Sequence, residues 1–568
     1  MYPGAREAVV GGMTFNSRKA NVYGTKFAVS SSQQLATQAG IDILEKGGNA
    51  ADAAVAVAAA LAVTEPTATG LGGDCFCLYY DSSQKRVFAL NGSGRSVSAT
   101  SLQDLKKEFG PDCPRIPFDS PHSVSIPGAA SGWVDTISHF GSKKLELSQI
   151  LERAIDLAEN GFPVTEIVSH SVNSYFYFYP ILSYSWESQT EKLKAASENF
   201  NELLIDGRAP KEGEIFTNVN LANTLKSLAK DGKDGFYKGP VADSIVETLS
   251  KLGNRISHED LINHSSNLVE PISIDYNGYT IFECPPNGQG IVALQALGIL
   301  DSLVRLKKIK PISEYKHNSK EYIHILIECL RLAFSDAAHY IGDPEFSGFD
   351  PNSILQKEYL SSKALLFDAE SRNNNIVHGY PISSSDTVYF SVVDSSGNGC
   401  SFICIIPKGL GFTLQNRASN FSLNTDGFNL YEPNKRPYHT IIPSMVTKDG
   451  DLYAVFGVMG GFMQPQGHLQ VLLNIIEFNN GPQKSLDLPR ICIDPFDEVV
   501  LIEEGIECIN ELSELGHKVE LITGDARSAF GRGQVILRLK QKNFYTGSDS
   551  VVLAAGCDPR SDGCASAR

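Results

Sequence analysis

Residues 383–393 read Ser-Ser-Ser-Asp-Thr-Val-Tyr-Phe-Ser-Val-Val, so a loose polar stretch turns into a strand-like run at Thr387. A threonine hydroxyl inside a chain is a weak nucleophile. A cut between Asp386 and Thr387 would place an α-amine, with a pKa of about 7.7–8.0, on the residue that carries the hydroxyl. That amine could accept the hydroxyl proton near neutral pH. The junction therefore suggests a proenzyme that cuts itself and then hydrolyses amides with Thr387.

The same junction also fits a simpler interpretation, a turn that enters a sheet. Threonine is favoured in strands, and serine and aspartate are favoured in turns. The local pattern does not separate the two interpretations, so the decision depends on the rest of the chain.

Length and composition indicate a large globular protein. The chain has 568 residues, of which 42% are apolar and 20% charged, enough for several domains or one large layered one. The net charge of −16 argues against a nucleic-acid partner. The N-terminus has no apolar signal region, and the small-apolar run at residues 50–63 is too short to span a membrane. We therefore expect a cytoplasmic protein without a membrane partner, whose eleven cysteines are mostly buried reduced thiols.

Two helices are predicted near the N-terminus. Ser30 to Ser32 can cap a helix that carries apolar residues from Leu35 to Leu44 and stops at Gly47-Gly48. Asn49 can cap a second helix at residues 50–63, whose alanine and valine surface predicts an interior position.

A glycine-rich turn at residues 70–74, Gly-Leu-Gly-Gly-Asp, leads into a predicted hairpin of strands at 75–80 and 86–90. In nucleotide-binding loops a strand comes before the glycines and a helix after them. Here a helix comes before and a strand after, so the pattern excludes a phosphate loop.

The remaining pattern predicts further helices and a second set of strands. A helix is predicted at 321–340 and an exposed loop at 361–386. A hairpin at 387–393 and 400–406 follows, then strands at 441–447 and 452–458 and a helix that begins after Pro465. Strands flanked by helices in both parts favour an α+β fold with sheet on sheet and helices outside.

An amide hydrolase of this type needs oxyanion donors and a substrate anchor as well as a nucleophile. Gly460-Gly461, between a strand and a helix, can offer consecutive backbone N–H groups to an oxyanion, or can simply form a tight turn. Arg95, in a glycine-flexed loop, can clamp a carboxylate or be a surface charge. His439 and His468 are not spaced as metal ligands, and the zinc motif His-Glu-x-x-His is absent from the sequence. We expect no cofactor and no metal.

Several motifs, in order from about residue 27 to the C-terminus, resemble the γ-glutamyltransferase family. They are the run 386–398, Asn-Ala-Ala-Asp-Ala-Ala-Val-Ala at 49–56, Glu-Pro at 65–66 with the glycine turn at 70–74, Ile-Pro-Gly at 126–128, Pro-Pro-Asn-Gly-Gln-Gly at 285–290, Asn-Lys-Arg-Pro at 434–437 and Asp-Pro-Arg-Ser-Asp-Gly at 558–563. The resemblance implies a four-layer αββα Ntn-hydrolase sandwich that cuts itself and needs no metal. Residues 1–386 would form the large subunit and 387–568 the small one, together one structural domain.

The resemblance also implies roles for single residues. Thr387 would be the nucleophile, Gly460 and Gly461 the oxyanion hole, and Arg95 the anchor of the substrate's carboxylate. The two cut pieces would be each other's partners in a heterodimer, with a dimer of heterodimers left open.

This chain departs from the family pattern around the substrate. The supporting Thr-x-Asn eighteen residues after the nucleophile is replaced by Ile405 and Pro407. The acid that pairs with the glutamyl ammonium is replaced by Asn420, and Arg417 nearby would oppose an ammonium group. The two serines that usually follow Lys-Arg-Pro-x are replaced by His439 and Thr440. We take Arg417, Asn420, His439 and Thr440 as substrate-binding residues beside Arg95.

These departures place the chain near a divergent branch that includes oxamate amidohydrolase and acylase-like members, whose signature resembles residues 458–468. The sequence therefore predicts an N-terminal-threonine amidohydrolase that acts through an acyl-enzyme on a small carboxylate-bearing amide. Two alternatives stay open. One is a glutathione hydrolase or γ-glutamyl transpeptidase, and the other is a non-catalytic homologue that binds carboxylates.

Overall fold

The fold was analysed in a computed structural model. It describes residues 19–169, 186–196, 199–376, 387–404, 410–424, 427–494, 498–543 and 546–568. Asp386, Ile405, Pro407 and the second part of the predicted loop, 377–386, lie outside the described residues.

Two antiparallel seven-stranded sheets form the centre of the molecule. The first sheet contains, in spatial order, β1 (Val22–Gly24), β18 (Asp549–Cys557), β17 (Arg532–Lys542), β13 (Asp451–Met459), β12 (Ser444–Lys448), β9 (Tyr279–Glu283) and β8 (Ile272–Tyr276). The second sheet contains β19 (Cys564–Ala567), β2 (Ala28–Ser31), β10 (Val388–Val393), β11 (Gly399–Cys404), β3 (Cys75–Asp81), β4 (Arg86–Gly92) and β7 (Asn267–Val269). Smaller sheets are formed by β14 (Ile491–Ile493), β15 (Val500–Glu503) and β16 (Val519–Ile522), and by β5 (Phe162–Pro163) and β6 (Ile215–Phe216).

Helices cover the outer face of each large sheet. In chain order they are α1 (Gln34–Glu45), α2 (Ala50–Thr64), α3 (Leu102–Phe109), α4 (Ala129–Phe140), α5 (Leu147–Asn160), α6 (Glu166–Ser169), α7 (Trp186–Ala196), α8 (Val219–Asp231), α9 (Asp234–Tyr237), α10 (Gly239–Lys251), α11 (His258–Ile262), α12 (Gly290–Arg305), α13 (Lys320–Tyr340), α14 (Pro344–Ser347), α15 (Lys357–Ala364), α16 (Met463–Ile476), α17 (Pro482–Asp487) and α18 (Ile509–Glu514). None of the described helices is both long enough and apolar enough to cross a lipid bilayer.

Three apolar cores separate the layers. The core between the sheets contains Phe76, Tyr389, Met445 and Ile536. α2 and α5 share a core with the outer face of the second sheet, and α12, α13 and α16 share one with the outer face of the first. The order helix, sheet, sheet, helix confirms the predicted αββα sandwich.

The segments before and after residue 387 share both large sheets. In the second sheet, β10 lies between β2 and β11, and β19 pairs with β2. In the first sheet, β12, β13, β17 and β18 lie between β1 on one side and β9 on the other. Each segment therefore completes the hydrogen bonding of strands from the other.

The strongest local predictions are confirmed. All fifteen residues of α2 are buried, and Asn49 caps its first turn as predicted. The two predicted hairpins are present as β3–β4 and β10–β11. The ten cysteines whose side chains are described are free thiols, and eight of them are buried.

Several boundaries differ from the sequence prediction, and β12 begins at Ser444 where a strand from residue 441 was predicted. Ser30 and Ser31 belong to β2, and Gln33 caps α1 instead. α16 begins at Met463, before Pro465, because a proline is tolerated in the first turn, where its missing N–H needs no partner. α15 continues to residue 364, which shortens the predicted loop.

Candidate active site

Thr387 immediately precedes β10 and lies at the end of the second sheet where that strand begins. Val388 at the start of β10 is opposite residue 404, which is opposite Cys75, which is opposite Gly92. Neighbouring strands are about 4.8 Å apart. Thr387 and Asp74, each one residue outside this row, therefore lie at the same end of the sheet, two strand spacings or about 9.6 Å apart.

The first sheet stacks on β10 with a clear register. The Ser391 hydroxyl donates to the carbonyl of Val455, at 3.2 Å. Two residues earlier, the ring of Tyr389 packs on Gly457, where a side chain would come within 2.5 Å of a ring carbon. Residue numbers therefore rise along β13 as they fall along β10. Continuing this pairing by two residues places Thr387 opposite Met459, the last residue of β13. We therefore expect the turn that follows β13 to lie near Thr387.

The Thr387 side chain is buried and its hydroxyl is unsatisfied. The residue is 2% exposed, and its Oγ1 has no hydrogen-bond partner within the described part of the chain. A buried polar group without a partner costs about 1–3 kcal/mol. Other buried hydroxyls among the described residues, such as those of Thr136 and Thr413, are unsatisfied as well, so this property leaves the Thr387 hydroxyl able to react without singling it out.

Gly460 and Gly461 form the turn after β13. Their φ angles are +126° and +57°, a region that residues with side chains rarely adopt. A side chain at Gly461 would meet nothing within 4 Å, so the space beside it is open. Among the described residues, none accepts a hydrogen bond from either glycine N–H. The turn can therefore present two N–H groups to a ligand.

The segment before β12 is tied to this turn by a glutamine. Gln289 Nε2 donates to the carbonyl of Gly461 at 2.9 Å and to that of Thr440 at 2.8 Å. Thr440 Oγ1 in turn accepts from Arg417 Nη1, at 3.3 Å. Arg417 and Thr440, predicted to bind substrate, thus lie close to the glycine turn.

Arg417 is a buried cation. It is 2% exposed, and burial lowers its pKa to about 10. That value is still above neutral pH, so the guanidinium is charged. The charge favours an anion next to the guanidinium and opposes an ammonium group there, and the nearby Asp74 carboxylate offsets part of it.

Asn420 and His439 brace the same segment. Asn420 Nδ2 donates to the carbonyl of Tyr438, at 2.9 Å. His439 Nδ1 accepts from the N–H of Ile441, so Nε2 carries the proton and donates to Asp74 Oδ2 at 3.0 Å. Burial lowers the pKa of His439 to about 4, so the ring is neutral at pH 7. Both ring nitrogens are engaged with the protein, which gives His439 a bracing position.

Arg95 follows β4 at the margin of the site. Its side chain is 19% exposed, and Nη2 lies 3.0 Å from Glu345 Oε2. Arg436 Nη1 lies 3.8 Å from the same oxygen. The predicted carboxylate anchor therefore holds a carboxylate of the protein itself, and a substrate would compete with Glu345 for it.

A possible metal-binding trio lies elsewhere, between α13 and the residues that follow α18. His324, Glu328 and His517 bring their donor atoms within 4.8 Å of one another. His324 Nδ1 is 2.8 Å from His517 Nε2, and its Nε2 is 2.8 Å from the carbonyl of Asp368. Glu328 accepts from Arg331 at 2.6 Å. These donor atoms already have hydrogen-bond partners, so the trio is satisfied without an ion.

Sequence reasoning missed two residues that organise the site. Asp74 was seen only as the end of a glycine turn, although its Oδ1 also accepts from the N–H of Gly94, at 2.7 Å. Gln289 lies in a motif that resembled the family but had no assigned role. No local signal in the sequence predicts either contact, because each partner is distant in the chain.

Comparison with known proteins identifies the family of the chain. The family profile described as Gamma-glutamyltranspeptidase matches residues 36–568. The glutathione hydrolase-like YwrD proenzyme of Bacillus subtilis (strain 168) is 34% identical over 566 residues, covering 96% of this chain and 99% of that protein. The oxamate amidohydrolase proenzyme of Klebsiella pneumoniae is 31% identical over 552 residues, covering 94% and 96%.

A solved structure shows the same fold. The cephalosporin acylase from Bacillus halodurans superimposes with a TM-score of 0.84 at 35% identity, covering 100% of this chain and 99% of that one. The named relatives all act on C–N amide bonds. The chain therefore belongs to the γ-glutamyltranspeptidase family and is a hydrolase of C–N amide bonds with the Ntn-hydrolase fold.

Proposed function

We propose that the chain is a proenzyme that cuts itself between Asp386 and Thr387, and that the mature enzyme uses Thr387 to hydrolyse a small carboxylate-bearing amide. One observation carries the proposal. The Thr387 hydroxyl is buried and unpaired at the start of β10, level with a turn whose glycine N–H groups have no described acceptor. A nucleophile and oxyanion donors need this proximity.

The proposed chemistry has two stages. In the intact chain, the Thr387 hydroxyl adds to the carbonyl carbon of Asp386, the amide becomes an ester, and water hydrolyses that ester. In the mature enzyme, the freed α-amine takes the hydroxyl proton as Oγ1 attacks the substrate amide. The Gly460 and Gly461 N–H groups stabilise the oxyanion. The leaving amine takes the proton, and water then releases the acyl group.

The substrate assignment rests on charge. Arg417 is a buried cation beside Thr440, and Asn420 stands where the family has an acid. Both features favour an acyl group that carries a carboxylate without an ammonium group. Oxamate, named in one relative, is an amide of this kind, since it joins a carboxylate directly to the amide carbonyl.

A glutathione hydrolase or γ-glutamyl transpeptidase is the second candidate, because two B. subtilis relatives have glutathione hydrolase names. Its substrate carries an α-ammonium group. An ammonium group would have to enter a site that holds the Arg417 charge, so we rank it below the first candidate.

Cleavage is tested by a denaturing gel with N-terminal sequencing of the purified protein. We expect pieces of 386 and 182 residues (568 − 386 = 182), the smaller beginning Thr-Val-Tyr. Thr387→Ala should remain a single chain and be inactive. Wild-type protein that stays full length under native conditions would overturn the proposal and favour a non-catalytic carboxylate-binding homologue.

A further inference from the structure

We propose that Gln289 is a positioning residue for the reaction, because it holds the Gly460-Gly461 turn in the geometry that the oxyanion requires. This inference rests on the proposed function. Gln289 immediately precedes α12, and it is 0% exposed. Gln289 acts by holding the turn and does not contact the substrate.

The hydrogen bonds of Gln289 fix the orientation of its amide. Its Nε2 uses both N–H bonds, one on the carbonyl of Gly461 and one on that of Thr440. Its Oε1 accepts from the Tyr438 hydroxyl, at 2.8 Å. A flipped amide would place an oxygen against two carbonyls, so only one orientation satisfies all three contacts.

The turn needs an anchor from outside its own helix. Glycines at positive φ are conformationally permissive, so two in succession are not rigid by themselves. The N–H of Met463 donates to Gly460 O at 2.9 Å and that of Gln464 to Gly461 O at 3.3 Å. Both donors belong to α16, which follows the turn. Gln289 instead connects the turn to the segment before β12, where Thr440 and Arg417 meet.

Oxyanion donors act only when they are correctly placed. A displacement of about 1 Å in a catalytic site can cost about 10²-fold in rate. Loss of Gln289 frees the Gly461 carbonyl, and with it the adjoining peptide groups, to move. Arg417 contacts the Thr440 side chain, whereas Gln289 binds the Thr440 carbonyl. The expected signature is therefore a loss of kcat with little change in KM.

The test compares Gln289→Leu with Gln470→Leu. Gln470 is a matched control because it is 5% exposed, donates to the carbonyls of Gln466 and Ile491 at 2.9 Å each, and accepts from the N–H of Ile491. It braces α16 against β14, away from the turn. Kinetics use whichever of oxamate, glutaryl anilide and γ-glutamyl anilide the wild type hydrolyses. We expect Gln289→Leu to lower kcat by about 10²-fold with KM within about twofold, and Gln470→Leu to change neither by more than about twofold.

Thermal unfolding of both variants distinguishes a displaced glycine turn from a general loss of folding stability. Equal stability loss with a kcat defect only in Gln289→Leu supports the inference, whereas equal kcat losses or a fully active Gln289→Leu overturn it. If Gln289→Leu does not fold, Tyr438→Phe removes only the donor to Oε1 and should lower kcat by about 2- to 10-fold. An unchanged kcat in that variant overturns the inference. Wild type that is uncut would mean that the proposed function itself has failed.

Discussion

Arg417 shows how one side chain can set the class of substrate. Its guanidinium is charged although it is almost fully buried, and it contacts the Thr440 hydroxyl. Arg95, the other candidate anchor, lies at the margin and is paired with Glu345. The two arginines differ in burial and in partner, so their contributions can be separated by experiment.

We predict that Arg417→Gln raises KM for a glutaryl anilide by about 10- to 100-fold, since a charge-assisted hydrogen bond contributes about 1.5–3 kcal/mol. KM for a neutral butyryl anilide should not change. Arg95→Gln is the matched variant, and steady-state kinetics on the two substrates distinguish them. If only Arg95→Gln raises KM, Arg95 is the anchor. Faster hydrolysis of glutathione than of oxamate and the glutaryl anilide would contradict the assignment of a substrate without an ammonium group.

Part of the site could be predicted from single residues and part could not. Thr387 and Gly460-Gly461 stand out as candidates in local patterns, a polar loop entering a strand and a glycine pair between a strand and a helix, but only the resemblance along the whole chain implies their roles. Asp74 and Gln289 could not be assigned roles, because their partners are 365 and 172 residues away in the chain. These contacts form only when the chain folds, and no local sequence pattern predicts them.

At the scale of elements, α2 was predicted well because its signals are local. Asn49 Oδ1 accepts from the N–H groups of Ala51 and Asp52, and the Asp52 carboxylate accepts from the N–H of Asn49. Capping of this kind depends on residues three apart in the sequence. The start of α1 was wrong for the opposite reason, because pairing of β2 with β10 and β19 draws Ser30 and Ser31 into the sheet.

We predict that Asn49→Ala lowers the free energy of unfolding by about 1–2 kcal/mol, since it removes the N-cap of a fully buried helix. Its Nδ2 also donates to the carbonyl of Phe140, at 2.6 Å. The measurement is urea unfolding in the uncut Thr387→Ala background, which keeps the chain in one piece. Gln38→Ala, an exposed change on α1, should stay within about 0.5 kcal/mol. Equal effects of the two substitutions would contradict the capping argument.

At the scale of the whole molecule, burial of histidines links stability to pH. Burial lowers the pKa of His264 and His517 to about 3 and that of His439 to about 4. In an unfolded chain these groups would titrate near pH 6.5. Below pH 6.5 these histidines are protonated in the unfolded state but stay neutral in the folded state. The free energy of unfolding therefore falls as the pH falls toward 4.

We predict a loss of about 2 kcal/mol of unfolding free energy for each of these histidines between pH 6.5 and 5, and no contribution from them above pH 7. Urea unfolding of the Thr387→Ala chain at several pH values measures the slope. His439→Gln keeps a donor for Asp74 but removes one titrating group. The change of unfolding free energy with pH should therefore correspond to about one proton less. Gln38→Ala, an exposed substitution that removes no titratable group, should leave it unchanged. A slope that His439→Gln does not alter would contradict the prediction.

The position of β10 between β2 and β11 has a consequence for how the enzyme comes into being. Neither segment has a complete sheet by itself, so the chain must close around Thr387 before the bond in front of it can break. If the chain cuts itself as proposed, only molecules that have folded carry the new N-terminus at Thr387. Variants with folding defects should then accumulate as full-length chain, and the amount of the smaller piece counts the molecules that reached the native state.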